Sequence, residues 1–79
     1  MTSKELSKIL HEMYFNAPKG ELVSMIHLFG IKYAEDLMKR NISIKEIVKD
    51  SGISTTYQTE ISKGIKLAKY VTVKPNYYY

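Results

Sequence analysis

Apolar residues recur at spacings of three and four along most of the chain, which is the period of a helix with one buried face. The pattern predicts helices over residues 3–15, 21–29, 32–40, 44–51 and 55–63, the last with an extension to residue 70 as an alternative. After residue 64, the alternating YVTV segment could instead form a short extended tail. We therefore expect an all-α fold, a compact bundle of four to five short helices.

Capping signals set the helix boundaries. Thr2 and Glu5, and again Ser43 and Glu46, have the spacing of a capping box, in which a hydroxyl accepts a first-turn N–H and a carboxylate reaches back. Gly52 is expected to end the fourth helix in the left-handed conformation, because glycine adopts it without a Cβ penalty. These signals predict two helices joined by a very short turn.

The second and third predicted helices are strongly apolar. Helix two is expected to be covered on several sides, with Val23 in its buried face, and helix three is expected to bury Met38. Gly30 allows two interpretations, a C-terminal cap or a glycine inside one longer helix, and we favour the cap.

The helix after Gly52 has one apolar and one polar face. Its inner stripe is expected to hold Tyr57, Ile61, Ile65 and Ala68. Gln58 lies at the boundary, where its amide faces either a base edge or the end of a neighbouring helix. The outer face holds short hydroxyl side chains followed by charged ones, namely Thr55, Thr56, Thr59, Glu60, Lys63 and Lys66.

The run GISTTYQTEISKG at residues 52–64 resembles the turn and recognition helix of the helix-turn-helix superfamily, particularly small phage-repressor-like and Cro-like domains. Gly52 matches the turn glycine, Ile53 the apolar residue after it, Ser54 the polar residue that opens the recognition helix, and Ile61 its buried aliphatic residue. Gln58 departs from the pattern, since the superfamily usually has a buried Val or Ile there. The whole chain is also similar to small HTH-like proteins of bacteria and their mobile elements.

The resemblance implies a sequence-specific protein that binds double-stranded DNA, a small transcriptional regulator with the helix at residues 55–63 as its recognition helix. The alternative is a non-enzymatic interaction module or inhibitor that binds a protein partner through the same fold. The candidate DNA-binding residues are Ser54, Thr55, Thr56, Gln58, Thr59, Lys63, Lys66 and Lys69.

Charge is consistent with this hypothesis without establishing it. The net charge is +4, and the four lysines that follow Glu60 are accompanied by no further acidic residue. Such lysines suit a phosphate backbone, because each contact releases a counterion. They equally suit a helix C-terminus, where cations complement the dipole, so both interpretations stay open.

Other classes of protein find little support in the sequence. There is no cysteine, no phosphate-binding loop and no HExxH motif, so we expect no enzyme, no cofactor and no metal site. His27 is expected to be a core or rim imidazole with one hydrogen bond. No apolar run approaches the length of a membrane span, and a cytoplasmic protein is expected.

The chain length favours one domain over residues 1–74, followed by a short aromatic tail at residues 75–79. Tyr77, Tyr78 and Tyr79 could stack on bases or on a partner, or could rest on a hydrophobic neighbour. A homodimer is expected, because proteins with one recognition helix commonly bind two half-sites as dimers. Helix two and the tail are the candidate contact surfaces.

Overall fold

The computed structural model of the protein describes residues 1–75, and every regular element within them is helical. A 3₁₀ turn, Thr55–Tyr57, precedes the last helix. The α-helices are α1 (Ser3–Phe15), α2 (Leu22–Lys32), α3 (Ala34–Leu37), α4 (Ile44–Asp50) and α5 (Gln58–Leu67). The predicted all-α class and helix number are confirmed, whereas the three terminal tyrosines lie outside the described residues.

α1 begins where the capping signal places it. The Glu5 N–H donates to Thr2 Oγ1 at 3.1 Å, and the Thr2 N–H donates to Glu5 Oε1 at 2.9 Å, so both halves of the box are present. The helix buries Leu6, Leu10 and Met13 along one face. The prediction for this helix is confirmed at both ends.

The predicted break at Gly30 is wrong. α2 continues through Gly30 to Lys32, because this glycine lies where α2 crosses α5. A Cβ on Gly30 would lie 2.6 Å from the Ile61 carbonyl oxygen and 3.0 Å from the Gly64 Cα. A Cβ on Gly64 would in turn collide with the His27 carbonyl oxygen. The two glycines therefore let the helix backbones meet directly.

The third helix is much shorter than predicted. Only Ala34–Leu37 is helical, because the chain bends at Tyr33, which ends α2 and starts α3 with non-helical dihedral angles. Leu37 is buried, but Met38 follows the end of the helix and is 69% exposed, so the prediction that Met38 is buried is wrong. Val23 of α2 is also exposed, contrary to the prediction that this helix is covered on several sides.

Both ends of α4 are set by hydrogen bonds and a turn glycine at the predicted positions. The Glu46 N–H donates to Ser43 Oγ at 3.3 Å and starts the helix, but the Glu46 carboxylate does not bond back to the Ser43 N–H, so only half of the predicted capping box is present. Gly52 ends the helix with a φ of 84°. The Gly52 N–H donates to the Lys49 carbonyl at 3.2 Å. The Val48 carbonyl accepts a 2.6 Å hydrogen bond from Ser51 Oγ, so a side chain satisfies one of the orphan groups at this helix end.

The last helix begins later and ends later than predicted over residues 55–63. Residues 55–57 form the 3₁₀ turn, and α5 then runs through Gly64 to Leu67, with turns up to Tyr70. The alternative of an extension beyond residue 63 is thus the correct one. Residues 71–74 are irregular and not strand, and Val73 among them is buried.

The core is drawn from all five helices and the turn before α5. Its largest fully buried side chain is Phe29 of α2. Around it lie Leu6, Leu10, Met13, Ile26, Tyr33, Leu37, Ile47, Val48, Ile53 and Ile61.

Alanine at the helix crossing should destabilise the protein. Glycine to alanine in a helix interior ordinarily stabilises by about 1 kcal/mol. Here the new Cβ of Gly30→Ala or Gly64→Ala would clash with backbone atoms, which cannot move aside by changing a side-chain rotamer. We expect each variant to lose about 1–3 kcal/mol in free energy of unfolding, measured by urea denaturation. Thr59→Ala on the exposed side of α5 is the control, expected within about 0.5 kcal/mol of the wild type. Equal stability of all three variants would contradict the close crossing.

Candidate nucleic-acid interface

The side of α5 that faces away from the core carries a continuous polar strip. Ile61 is fully buried against the core. At about 100° per residue, Thr59, Lys63 and Lys66 lie within about 60° of one another on the opposite side, and all three are exposed. Tyr57 and Ile65 pack against the core as predicted for the inner stripe, although they are only half-buried. The buried α2–α5 contact therefore determines which side chains α5 presents outward.

The start of this segment is held by hydroxyl groups. Ser54 is the N-cap of the 3₁₀ turn, and its Oγ accepts the Thr56 N–H at 3.4 Å. The Ser54 and Thr56 hydroxyls also share a hydrogen bond of 2.9 Å. Thr55 between them is exposed. Of these three hydroxyl side chains, two are already engaged with each other in the free protein.

Gln58 makes a local hydrogen bond that the sequence pattern did not predict. Its Nε2 donates to the Thr55 carbonyl at 3.0 Å, within its own helical segment. The amide thus links the 3₁₀ turn to the first residue of α5.

Glu60 joins the polar strip to the neighbouring helix. His27 Nε2 of α2 donates to Glu60 Oε1 at 2.7 Å, and Lys63 Nζ donates to Glu60 Oε2 at 3.2 Å. The hydrogen bond from His27, followed by that from Lys63, holds the pKa of the Glu60 carboxyl below its usual value. His27 is therefore the rim imidazole with a hydrogen bond that the sequence predicted, although its partner was not foreseen.

Two exposed lysines lie at and just beyond the C-terminal end of α5. Lys66 is exposed in the last turn of α5, and Lys69 is exposed in the turn that follows. Lys63 differs from them, because part of its charge is compensated by Glu60. Lys66 and Lys69 are the better placed of the three cations for an external anion.

One hydrogen bond near the turn after α4 could not be predicted from the sequence. His11 Nδ1 of α1 donates to the Ser51 carbonyl at 2.9 Å, across 40 residues of chain. A carbonyl only accepts, so the ring proton must sit on Nδ1. Helical periodicity places His11 on α1, but it cannot indicate which distant backbone group the ring meets.

Other types of site are not seen in the described part of the chain. Residues 1–75 contain no cluster of three His, Cys, Asp or Glu side chains able to hold a metal ion. None of the helices in that range is long and apolar enough to cross a membrane.

The arrangement of α4 and α5 has the form that the resemblance implied. α4 and α5 are joined through residues 51–57, with a left-handed glycine after α4 and a 3₁₀ turn, capped by Ser54, directly before α5. A family model described as HTH-like domain matches residues 2–74. The chain belongs to the HTH-like domain family. No curated protein and no solved structure gave a significant match. The match spans every α-helix of this HTH-like domain, so the family assignment predicted from residues 52–64 is confirmed.

The bridge at Glu60 should make the stability of this HTH-like domain depend on pH. Because the folded-state pKa of Glu60 is lowered, its contribution is fully present above the unfolded value of 4.5 and is lost as the pH falls through the folded value. We expect Glu60→Gln to lower the melting temperature at neutral pH. In strong acid the melting temperatures of the variant and the wild type should become equal.

Glu12→Gln, which removes an exposed carboxylate from α1, is the matched control and should shift the melting temperature little at any pH. A melting-temperature difference for Glu60→Gln that is the same at neutral and at strongly acidic pH would show that the ionised bridge contributes nothing.

Proposed function

We propose that this HTH-like domain is a sequence-specific double-stranded DNA-binding protein that acts as a small transcriptional regulator, without enzymatic activity. The observation that carries the proposal is the exposed strip of Thr59, Lys63 and Lys66 on α5, directly opposite the buried Ile61. A helix that enters a major groove needs such a side, free of core contacts and rich in hydrogen-bonding and cationic groups.

In this proposal the residues of the segment have different roles. Ser54, Thr55 and Thr56 lie nearest the bases and phosphates, with the positive end of the helix dipole toward the DNA. Thr59 follows one turn further along. Thr55 and Thr59 are the leading candidates for contacts with base edges, because the hydroxyls of Ser54 and Thr56 bond to each other.

Gln58 takes a supporting role, because its amide is engaged with the Thr55 carbonyl. Lys63, Lys66 and Lys69 contact the phosphate backbone. The negative charge of Glu60 within this surface is offset by the Lys63 ammonium, which donates to its carboxylate. The surface therefore keeps a positive balance.

A protein partner is the second candidate function. Leu67 is the last residue of α5, and Tyr70 and Val71 lie just beyond it; all three are exposed, Tyr70 to 83%. Exposed apolar side chains of this kind are typical of contacts with proteins. The interaction module or inhibitor is the function favoured if DNA is not bound.

A homodimer is part of the proposal, since one recognition helix reads few bases. The face of α2 that the sequence suggested as a contact is largely unavailable, because Met25, Ile26 and Phe29 are buried in the core. The exposed residues Leu67, Tyr70 and Val71 are better candidates for contact between copies.

DNA binding is tested by titrating a fluorescently labelled random duplex at about 50 and 200 mM salt and following anisotropy. We expect affinity to fall steeply with salt. Lys66→Ala should weaken binding to all sequences alike and lower the salt slope by about one, since one phosphate contact is lost. Lys66 is preferred to Lys63 for this test, because removing Lys63 would also release Glu60.

Lys19→Ala is the charge-matched control, since it removes an exposed lysine from the connection between α1 and α2. It should change the salt slope less than Lys66→Ala does. The proposal fails if the combined change of Lys63, Lys66 and Lys69 to alanine leaves DNA affinity untouched, or if the wild type binds no duplex at low salt.

Sequence readout is tested separately with a duplex selected from a random pool. Thr55→Ala or Thr59→Ala should alter preference at one base position by about 1–3 kcal/mol if a good contact is lost. The salt slope should stay as in the wild type, because neither hydroxyl carries charge. Unchanged preference in both variants would remove these threonines from the reading surface.

Assembly is tested by light scattering. We expect the mass of a dimer at protein concentrations of tens of micromolar, and Tyr70→Ser should shift the equilibrium toward monomer if the exposed apolar residues form the contact. A monomeric mass for the wild type, free and on DNA, would contradict the dimer.

A further inference from the structure

The segment from Ser51 to Tyr57, which leads from α4 into α5, is contacted from α1 on both of its sides. On the first side, His11 Nδ1 donates to the carbonyl of Ser51, the residue that follows α4. The last carbonyls of a helix have no partner within it, so a donor from elsewhere must satisfy them. His11 supplies that donor from a position 40 residues earlier in the sequence.

The second side is held by tyrosines. Tyr14 of α1 packs edge-on against Tyr57, the last residue of the 3₁₀ turn, with ring centroids 5.6 Å apart. A hydrogen bond between these two side chains raises the pKa of the Tyr14 hydroxyl. Tyr14 therefore fixes the chain just where α5 begins.

Phe15 connects the two sides. Its ring lies 4.5 Å from the His11 ring and 4.9 Å from the Tyr14 ring, measured between centroids. His11, Tyr14 and Phe15 thus form one aromatic cluster on the last turns of α1, which we call the α1 clamp. The clamp spans the turn from Ser51 to Tyr57.

We propose that the α1 clamp, and His11 in particular, positions the start of the recognition helix and so sets the sequence specificity of DNA binding. This inference rests on the proposed function. Contacts to base edges require side chains held to within about half an ångström, whereas long lysine side chains reach phosphates from many angles. Loosening the clamp should therefore impair base readout and spare the salt-dependent affinity for any duplex.

Two substitutions of His11 separate positioning from general stability. The amide nitrogen of asparagine lies as many bonds from Cα as His Nδ1 does, so His11→Asn can still donate to Ser51. The amide nitrogen of glutamine instead matches Nε2, so His11→Gln loses that donor. Glutamine is nevertheless the better helix former of the two. If His11 acts only through the stability of α1, His11→Gln should be the less damaging substitution. If His11 acts by positioning the segment after α4, His11→Asn should be the less damaging one.

The experiment measures affinity for two duplexes, the best one selected from a random pool and the random pool itself. We expect His11→Gln to lower the ratio of selected to random affinity by about two- to tenfold, the range expected for one lost hydrogen bond. Affinity for the random pool should not change, and His11→Asn should restore the ratio. The inference is overturned if Gln and Asn behave alike, or if His11→Gln weakens binding to both duplexes equally.

A second measurement does not depend on DNA. The Gly52 N–H belongs to the same peptide unit as the Ser51 carbonyl, so its amide resonance reports the His11 contact. We expect the Gly52, Thr55 and Thr56 amides to shift in His11→Gln and to return toward the wild type in His11→Asn. If the wild type binds neither duplex, the proposed function fails, and these amides alone decide whether His11 positions the segment. Unmoved Thr55 and Thr56 amides would then overturn positioning as well.

Discussion

The direct contact of two helix backbones at Gly30 and Gly64 is the constraint on which the rest of this structure depends. With no side chain between them, α2 and α5 approach until each glycine Cα faces the other. Ile61 is thereby drawn fully into the core, and the opposite side of α5 is left as the exposed strip. The same approach brings His27 against Glu60, since each lies about one helical turn before its glycine. The burial of Ile61, the exposed side of α5 and the bond between His27 and Glu60 therefore all depend on the crossing of α2 and α5.

Features that depend on near neighbours could be predicted from the sequence. The capping box of Thr2 and Glu5, the cap at Ser43 and the left-handed Gly52 all involve residues within a few positions of one another. The buried position of Ile61 follows from helical period alone. These local signals were sufficient to identify the helix-turn-helix pair and its outward face.

Features that depend on residues far apart in the sequence could not be predicted from it. Gly30 looks like a helix end in its own segment, and only Gly64 on another helix explains why it remains helical. Exposure of Met38 follows from the early end of α3, which periodicity does not reveal. In the candidate site, the exposed residues were foreseen. One contact between near neighbours was nevertheless missed, the hydrogen bond from Gln58 to Thr55, because it depends on the 3₁₀ geometry of residues 55–57, which the pattern did not indicate.

The two anchors on the helix-turn-helix act on different parts of it. The glycine crossing fixes the middle and end of α5, whereas the contacts of His11 and Tyr14 fix the turn that leads into it. A chain of 79 residues buries little surface, so rigidity cannot come from a large core and must come from a few specific contacts. A segment already held at both ends loses little conformational entropy on binding, and its contacts are then available for discrimination between partners. On a surface of hydroxyl groups and lysines, such order favours contacts that need a defined geometry over contacts that need charge alone.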